Sequence, residues 1–231
     1  MKIAVIYGTE RKGSTYNIAQ LFISKLSDAK EDVTEFFLPT SMPNFCRGCF
    51  MCFNESSNCP DYKYVKPILD AMLNADILIF ASPVYVYHVT GQMKTFLDHF
   101  AFQWMVHKPN EKMFKKQALI ISTAAGGGTK STMKDLKDSM IYWGVAKTHT
   151  YGVNVAAGSW NHVSDKKKTE IKNTVDKLST KIKNNSSHIK PCLKVKTLFY
   201  GMRFFHKKFG VNKPDVEYWE NKGWLYKTRP W

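Results

Sequence analysis

Nowhere does this chain hold the roughly 18 consecutive apolar residues of a membrane-spanning helix. Residues 1–7 carry one lysine and a short apolar run that stops at Gly8. A secretory signal needs a longer apolar core and a small-residue cleavage site, so a cytoplasmic protein is expected. Acidic residues are scarce, 19 Asp and Glu against 34 Lys and Arg, giving a formal charge of +15. Such an excess can attract nucleic acid, anionic membrane or an acidic protein. A solvated lysine-rich surface has the same composition, and with no nucleic-acid-binding motif in the chain no nucleic-acid partner is expected. A Walker loop, a Gly-x-Gly-x-x-Gly fingerprint and internal repeats are also missing. Cysteine is sparse outside one segment: of five, four lie from Cys46 to Cys59 and Cys192 stands alone. So crowded an odd set is unlike a secreted disulfide framework and points, in a cytosolic chain, to metal or redox chemistry.

What is present is a foldable core. Hydrophobic residues make up 44% of 231, enough for one domain with or without an appendage. Residues 2–7 (KIAVIY) form a short β-branched run of the kind buried on both faces of a parallel sheet. Ser14 or Thr15 can cap a helix to about residue 26, with Ile18, Ala19, Phe22, Ile23 and Leu26 on one stripe. Strands are expected at 32–38, 77–81, 117–123 and 148–155, and helices at about 64–73, 91–102, 130–143 and 164–184. Five β-α units with short connections imply an α/β fold, a parallel sheet with helices on both faces. A phosphate-type loop after the first strand points to the flavodoxin-like order 2-1-3-4-5, a three-layer sandwich whose ligands sit beyond the carboxyl ends of the strands. The pattern fills residues 1–184; residues 185–231 are read as a basic, aromatic C-terminal extension.

Three loops should meet at that edge. The first is Gly8-Thr9-Glu10-Arg11-Lys12-Gly13-Ser14-Thr15-Tyr16-Asn17. Small hydroxyls at a helix start can donate to phosphate oxygens, and free N–H groups and the dipole add to this. Arg11 can pair with that phosphate or with one on a nicotinamide cofactor, yet an ordinary capped turn has the same residues. The second, Ser82-Pro83-Val84-Tyr85-Val86-Tyr87-His88, offers the flat faces of Tyr85 and Tyr87 and backbone for ring edges, which suits a planar cofactor or aromatic packing alone. The third, Thr123-Ala124-Ala125-Gly126-Gly127-Gly128, lets backbone approach a ligand closely, though a flexible turn reads alike.

Together the loops resemble the NADPH-dependent FMN reductase family of flavodoxin-like proteins. The first is similar to its Gly-Ser-x-Arg-x-x-Ser-x-Thr phosphate loop. Ser82-Pro83-Val84-Tyr85, followed by Gly91-Gln92-Met93-Lys94-Thr95-Phe96-Leu97-Asp98, resembles its flavin-ring segment and next helix. The resemblance covers about residues 1–184. It implies FMN as cofactor, with Thr9, Arg11, Ser14, Thr15 and Asn17, and the neighbouring Tyr16, around the phosphate. Pro83, Val84, Tyr85, Tyr87 and the backbone of Thr123, Ala124, Ala125, Gly126 and Gly127 would hold the isoalloxazine. Thr9 replaces the commoner serine, Glu10 stands where proline is frequent, and His99 follows Asp98 where arginine is usual. Lys94 and Asp98, four apart on a helix, read as a surface pair.

Cys46-x2-Cys49-x2-Cys52-x6-Cys59-Pro60 is the sharpest motif. Three cysteines at every third position can wrap a cubane and a fourth can close it, as in bacterial ferredoxins; zinc more often takes two separated knuckles. The spacing and the place after the second strand are similar to those of iron–sulfur flavoproteins. A [4Fe–4S] cluster on Cys46, Cys49, Cys52 and Cys59, a cysteine loop without one, and zinc all remain open.

In the extension, residues 193–209 place Leu198, Phe199, Met202, Phe205 and Phe209 among lysines at helical spacing. Such a helix packs on its own domain or across a dimer more often than it lies on an anionic membrane. Tyr218, Trp219, Trp224, Tyr226 and Trp231 could fold over a flavin or lock onto a neighbouring subunit. The expected activity is that of an FMN-dependent oxidoreductase passing electrons between NAD(P)H or a reduced carrier and a small acceptor, with or without the cluster. A cluster-free NAD(P)H-dependent reductase of flavin, quinone or nitro compounds is the alternative, and a non-enzymatic binding module the third reading. No obligatory side-chain acid or base is evident; Tyr85, Tyr87 and His88 are candidates for shaping or protonating a substrate. A homodimer or homotetramer is expected.

Overall fold

A computed structural model describes residues 1–186, 189–210 and 212–231. Strands β1 (Ile3–Tyr7), β2 (Val33–Phe37), β3 (Ile77–Pro83), β4 (Gln117–Ala124) and β5 (Lys147–Asn154) form one parallel sheet in the order β2-β1-β3-β4-β5. Central β1, β3 and β4 are buried along almost their whole length, which is why they read as continuous apolar runs rather than alternating ones.

The pleat sends alternate residues to two cores. Ala4, Ile6, Leu78, Phe80, Ala118 and Ile120 meet helices α3 (Tyr62–Asn74), α4 (Gly91–His99) and α5 (Thr129–Tyr142). Ile3, Val5, Tyr7, Ile79 and Leu119 meet α1 (Ser14–Leu26) and α6 (Asp165–Asn184). A short helix α2 (Met51–Asn54) lies within the cysteine loop. Among the described residues, no helix is long and apolar enough to cross a membrane.

Some expected boundaries move. The N-cap of α1 is Gly13, with no side-chain cap; Ser14 and Thr15 are already helical, and the Thr15 hydroxyl is turned to Thr123, 2.6 Å away. Helix α4 stops at His99 rather than 102, because the Phe100 N–H turns back to Leu97 and a 3-10 turn, Ala101–Gln103, follows. The extension holds two helices, α7 (Leu193–Lys208) and α8 (Lys213–Asn221). Val195, Phe199, Trp219, Trp224 and Leu225 build a third core with Met105 and Phe114 of the preceding domain. Most of the aromatic tail packs within the chain: Trp219 and Trp224 are buried and Trp231 packs on Phe114 and Phe199, while Tyr226 stays exposed. The outer face of α7 leaves Leu193, Tyr200 and Phe204 exposed.

Candidate functional site

The carboxyl ends of β1, β3 and β4 border an open cleft of about 260 Å³. Its first wall is Thr9, Arg11, Gly13, Ser14 and Thr15; its second Pro83, Val84 and Tyr85; its third Thr123, Ala124 and Ala125. Val155, Ala157 and Gly158, from the loop after β5, close the rim; the sequence reading did not include them. That loop must end at the same sheet edge, and its small residues were the available signal.

The first wall has the chemistry of an anion site. With Gly13 as a cap that lends no side chain, the first N–H groups of α1 lack intrahelical acceptors and carry the positive end of the dipole. The Ser14 and Thr9 side chains stand beside them, and the Arg11 guanidinium reaches across the cleft to the Gly158 carbonyl. Glu10 turns away: its carboxylate accepts from the Thr40 hydroxyl beyond the end of β2, so its charge does not face this wall. The Thr15–Thr123 hydroxyl pair, buried, ties the start of α1 to the end of β4.

The ring-shaped wall is built by close backbone contacts. Val84 N–H donates to the Thr123 carbonyl at 2.9 Å, and Tyr85 and His88 exchange two backbone hydrogen bonds at 3.0 Å. The tip between them holds Val86 and Tyr87 at positive φ, 47° and 66°, and Ser131 donates to the Tyr87 carbonyl. Strain of this kind in a β-branched residue is tolerated where surroundings enforce it.

Some of the expected residues lie outside the cleft. Asn17 braces the first loop from behind, donating to the Gly13 carbonyl at 2.9 Å. Tyr16 packs towards Tyr7 and Phe37. Tyr87 lies against the glycine loop, and Gly126 and Gly127 are exposed beyond the cleft walls. His88 pairs with Asp135 at 3.0 Å and lines a separate, larger cavity of about 610 Å³ between α4 and α5.

The cysteine loop joins β2 to α3. Cys46 and Cys49 are exposed, and Cys52 and Cys59 half-buried against the core under α3 and α4. Burial and the neighbouring thiols of Cys59, Cys46 and Cys49 push the Cys52 thiol up to about 11; burial, with Asp61, Cys46 and Cys49 nearby, also raises Cys59. The four sulfurs thus share one neighbourhood, although among the described residues no three His, Cys, Asp or Glu side chains are drawn together closely enough to hold a metal ion. Thiols raised in this way become good ligands only when a cation compensates their charge.

The base of the loop is fastened by residues the sequence did not single out. Asn44 Nδ2 donates to Asp61 Oδ1 at 2.6 Å, so the segments before Cys46 and after Cys59 are tied together. Asp61 Oδ2 lies 3.3 Å from Nε2 of the buried His99, whose Nδ1 lies 2.9 Å from the Thr95 carbonyl. Both ring nitrogens of His99 thus face oxygen atoms, which fixes the ring between α4 and the base of the loop. The Asn44 bond, then His99, holds the Asp61 carboxyl below its ordinary range. At the other end of α4, the Thr90 hydroxyl caps the helix through Met93 N–H and donates to the Gly8 carbonyl at 2.6 Å. One helix therefore braces both the first loop and the cysteine loop.

The chain is similar to several known proteins. An iron-sulfur flavoprotein of Archaeoglobus fulgidus is 25% identical over 97% of this chain and 100% of its own. One of Methanocaldococcus jannaschii is 24% identical over 74% of this chain and 87% of its own. Among solved structures, an azoreductase from Bacillus anthracis aligns with a TM-score of 0.60 at 13% identity, over 78% of this chain and 99% of its own. The apo form of an NADH:FMN oxidoreductase aligns with a TM-score of 0.55 at 21% identity, over 82% and 94%. The sequence profile described as NADPH-dependent FMN reductase matches residues 1–161, and with the cleft placed at the carboxyl edge of a 2-1-3-4-5 sheet, the chain belongs to that family of oxidoreductases.

Proposed function

We propose that the protein is an FMN-dependent oxidoreductase of the iron–sulfur flavoprotein type, passing electrons between NAD(P)H or a reduced carrier and a small acceptor. The observation that carries this reading is the polarity of the cleft. One end is an uncapped helix start with Arg11, Ser14 and Thr9; the other is Val84, Tyr85 and the end of β4. A phosphate suits the first end and a flat ring the second. Arg11 and the N–H groups of α1 would hold the phosphate, while Tyr85 and the backbone from Thr123 to Ala125 would face the ring. Bound FMN would take up two electrons as hydride and release them singly.

Cys46, Cys49, Cys52 and Cys59 would hold a [4Fe–4S] cluster, which suits single-electron transfer. The spacing of this donor set, all cysteine in one loop, fits that group, and the charge of the bound cluster would offset the burial that raises Cys52 and Cys59. Tyr85 would lie between the two centres: it also lines a pocket of about 390 Å³ with Pro39, Met42, Pro43 and Phe45, where the cysteine loop begins. Anaerobic purification with a visible spectrum and iron, sulfide and FMN assays tests both parts. Flavin with about four irons per chain is expected. Flavin without iron would leave a cluster-free reductase, and failure to bind added FMN would sink the reading.

A further inference from the structure

The crest of the cysteine loop rests on His107 and Lys108, and the C-terminal extension holds that segment in turn through polar groups. Phe53, between Cys52 and Asn54 on α2, stacks on the His107 imidazole, ring centroids 3.9 Å apart at 23°. Lys108 donates Nζ to the Asn54 carbonyl. His107 Nδ1 lies 2.9 Å from Asp215 Oδ2 in α8, and Asn212 donates to the same oxygen at 2.7 Å. Helix α8 also grips the backbone of this segment: Trp219 Nε1 donates to the His107 carbonyl at 2.9 Å and Tyr218 to the Pro109 carbonyl at 2.8 Å.

Asp215 is only 1% exposed, and its second oxygen has no partner among the described residues. A carboxylate so placed is a poor source of stability, since an apolar side chain of similar size would often serve as well. The surrounding core of Phe199, Trp219 and Trp224 packs without it. What Asp215 does supply is direction: it fixes the ring on which Phe53 stacks. The base of the loop is held separately by Asn44, Asp61 and His99.

We infer that the C-terminal extension is a positioning device for the cysteine motif, in which Asp215 orients His107, His107 seats Phe53, and Phe53 sets α2 and Cys52. The inference rests on the reading of the four cysteines as cluster ligands. Its chemistry is that of outer groups that orient metal ligands without touching the metal.

The test compares full-length wild type with Asp215→Leu, Asp215→Asn and Phe53→Leu. Iron and sulfide are assayed per FMN, the reduced proteins are examined by EPR, and thiol-labelling rates are measured after cluster removal. Asp215→Leu and Phe53→Leu should hold iron about tenfold more weakly relative to FMN, the scale of a lost outer partner at a metal site, shift the EPR signal and label faster than wild type. Asp215→Asn, whose amide oxygen still accepts from His107, should stay near wild type. Asp215→Leu matching wild type in iron, EPR signal and labelling would overturn the proposal. If that variant loses helix signal and FMN together, Phe53→Leu decides, because it leaves the extension's core intact; no change there overturns the proposal equally. Wild type without iron would refute the cluster reading alone, and the labelling rates would still decide whether the extension holds the loop.

Discussion

Three consecutive glycines follow β4, and the structure gives them unequal roles. Gly128 sits at φ +93° as the N-cap of α5. A Cβ there would lie 2.7 Å from Val84 Cγ1, 3.1 Å from Tyr87 Cα and 3.3 Å from the Tyr87 ring. Val84 can rotate, but Tyr87 is backbone in a turn already at positive φ. Gly128→Ala therefore meets a left-handed penalty of about 1–2 kcal/mol and an overpacking cost of about 1–3 kcal/mol. For a chain of this size each kcal/mol moves Tm by about 2–4 °C, so a fall of roughly 4–20 °C is expected. Gly126 has nothing within 4 Å and no positive φ, and Gly126→Ala should stay within about 0.5 kcal/mol. Thermal melts of both variants beside wild type make the comparison. FMN titration adds a second readout, because Val84 lines the cleft and should be displaced only by the Gly128 change. If Gly128→Ala melts with Gly126→Ala, the contact between the glycine loop and the Tyr85 turn is not formed, and the second and third walls of the cleft are not locked together.

Arg11→Ala should weaken FMN binding about 10–100-fold, the range for one charged hydrogen bond; fluorescence titration at fixed salt measures it, and unchanged affinity would remove Arg11 from the site. Thr15→Val leaves the buried Thr123 hydroxyl without its partner and should cost about 1–3 kcal/mol in urea unfolding; a neutral result would mean that the two hydroxyls do not pair. Burial pulls His149 down to about 4, while its Nε2 lies 2.9 Å from Gln117 Oε1. The unfolded chain thus takes up this proton first as pH falls below about 6.5, and up to about 3 kcal/mol of stability is lost between there and pH 4. His149→Gln should lack that part of the slope, seen as a smaller change in urea midpoint between pH 7.5 and 5; equal slopes would refute it. Tyr85→Ala should weaken FMN about 3–10-fold through the lost ring face, with Tyr85→Phe near wild type; equal binding by all three would place the isoalloxazine elsewhere.

The sheet was legible because burial on both faces leaves little but apolar, β-branched residues in β1, β3 and β4, and short β-α connections then leave few topologies. The loops that meet at its edge followed from that order. What the sequence concealed is mostly a matter of side-chain direction. Asn17 and Glu10 belong to the first loop, yet one points behind it and the other towards Thr40. Periodicity cannot report such turns. The end of α4 was illegible for a related reason: aromatic residues continue the helical stripe through Phe102, while the chain leaves the helix at Phe100. Trp219 and Trp224 gave no direction either, because aromatics bury themselves in a domain, an interface or a ligand pocket with equal ease.

The cysteine motif shows how strand order alone misplaces a site. Loops after β2 leave the sheet beside β1, next to the helix start that forms the anion end of the cleft. Strand order would therefore put the thiols near Arg11. The side chains say otherwise. Cys52, Phe53 and Cys59 pack on the core under α3 and α4, whereas α1 covers the opposite core. Asp61 reaches His99 at the end of α4, and Phe53 reaches His107 beyond it. The chain leading into the motif, Pro39 to Phe45, borders Gly91, Gln92 and Tyr85. The polar anchors thus hold the motif on the α3–α4 side of the sheet, and the segment leading into it borders Tyr85. A ligand lying with its phosphate at Arg11 and its ring at Tyr85 would turn its redox-active end to the cysteines and its charged end away from them. Electron exchange between the proposed centres would require that orientation, and on this reading Asp61, His99 and His107, rather than the order of the strands, would set it.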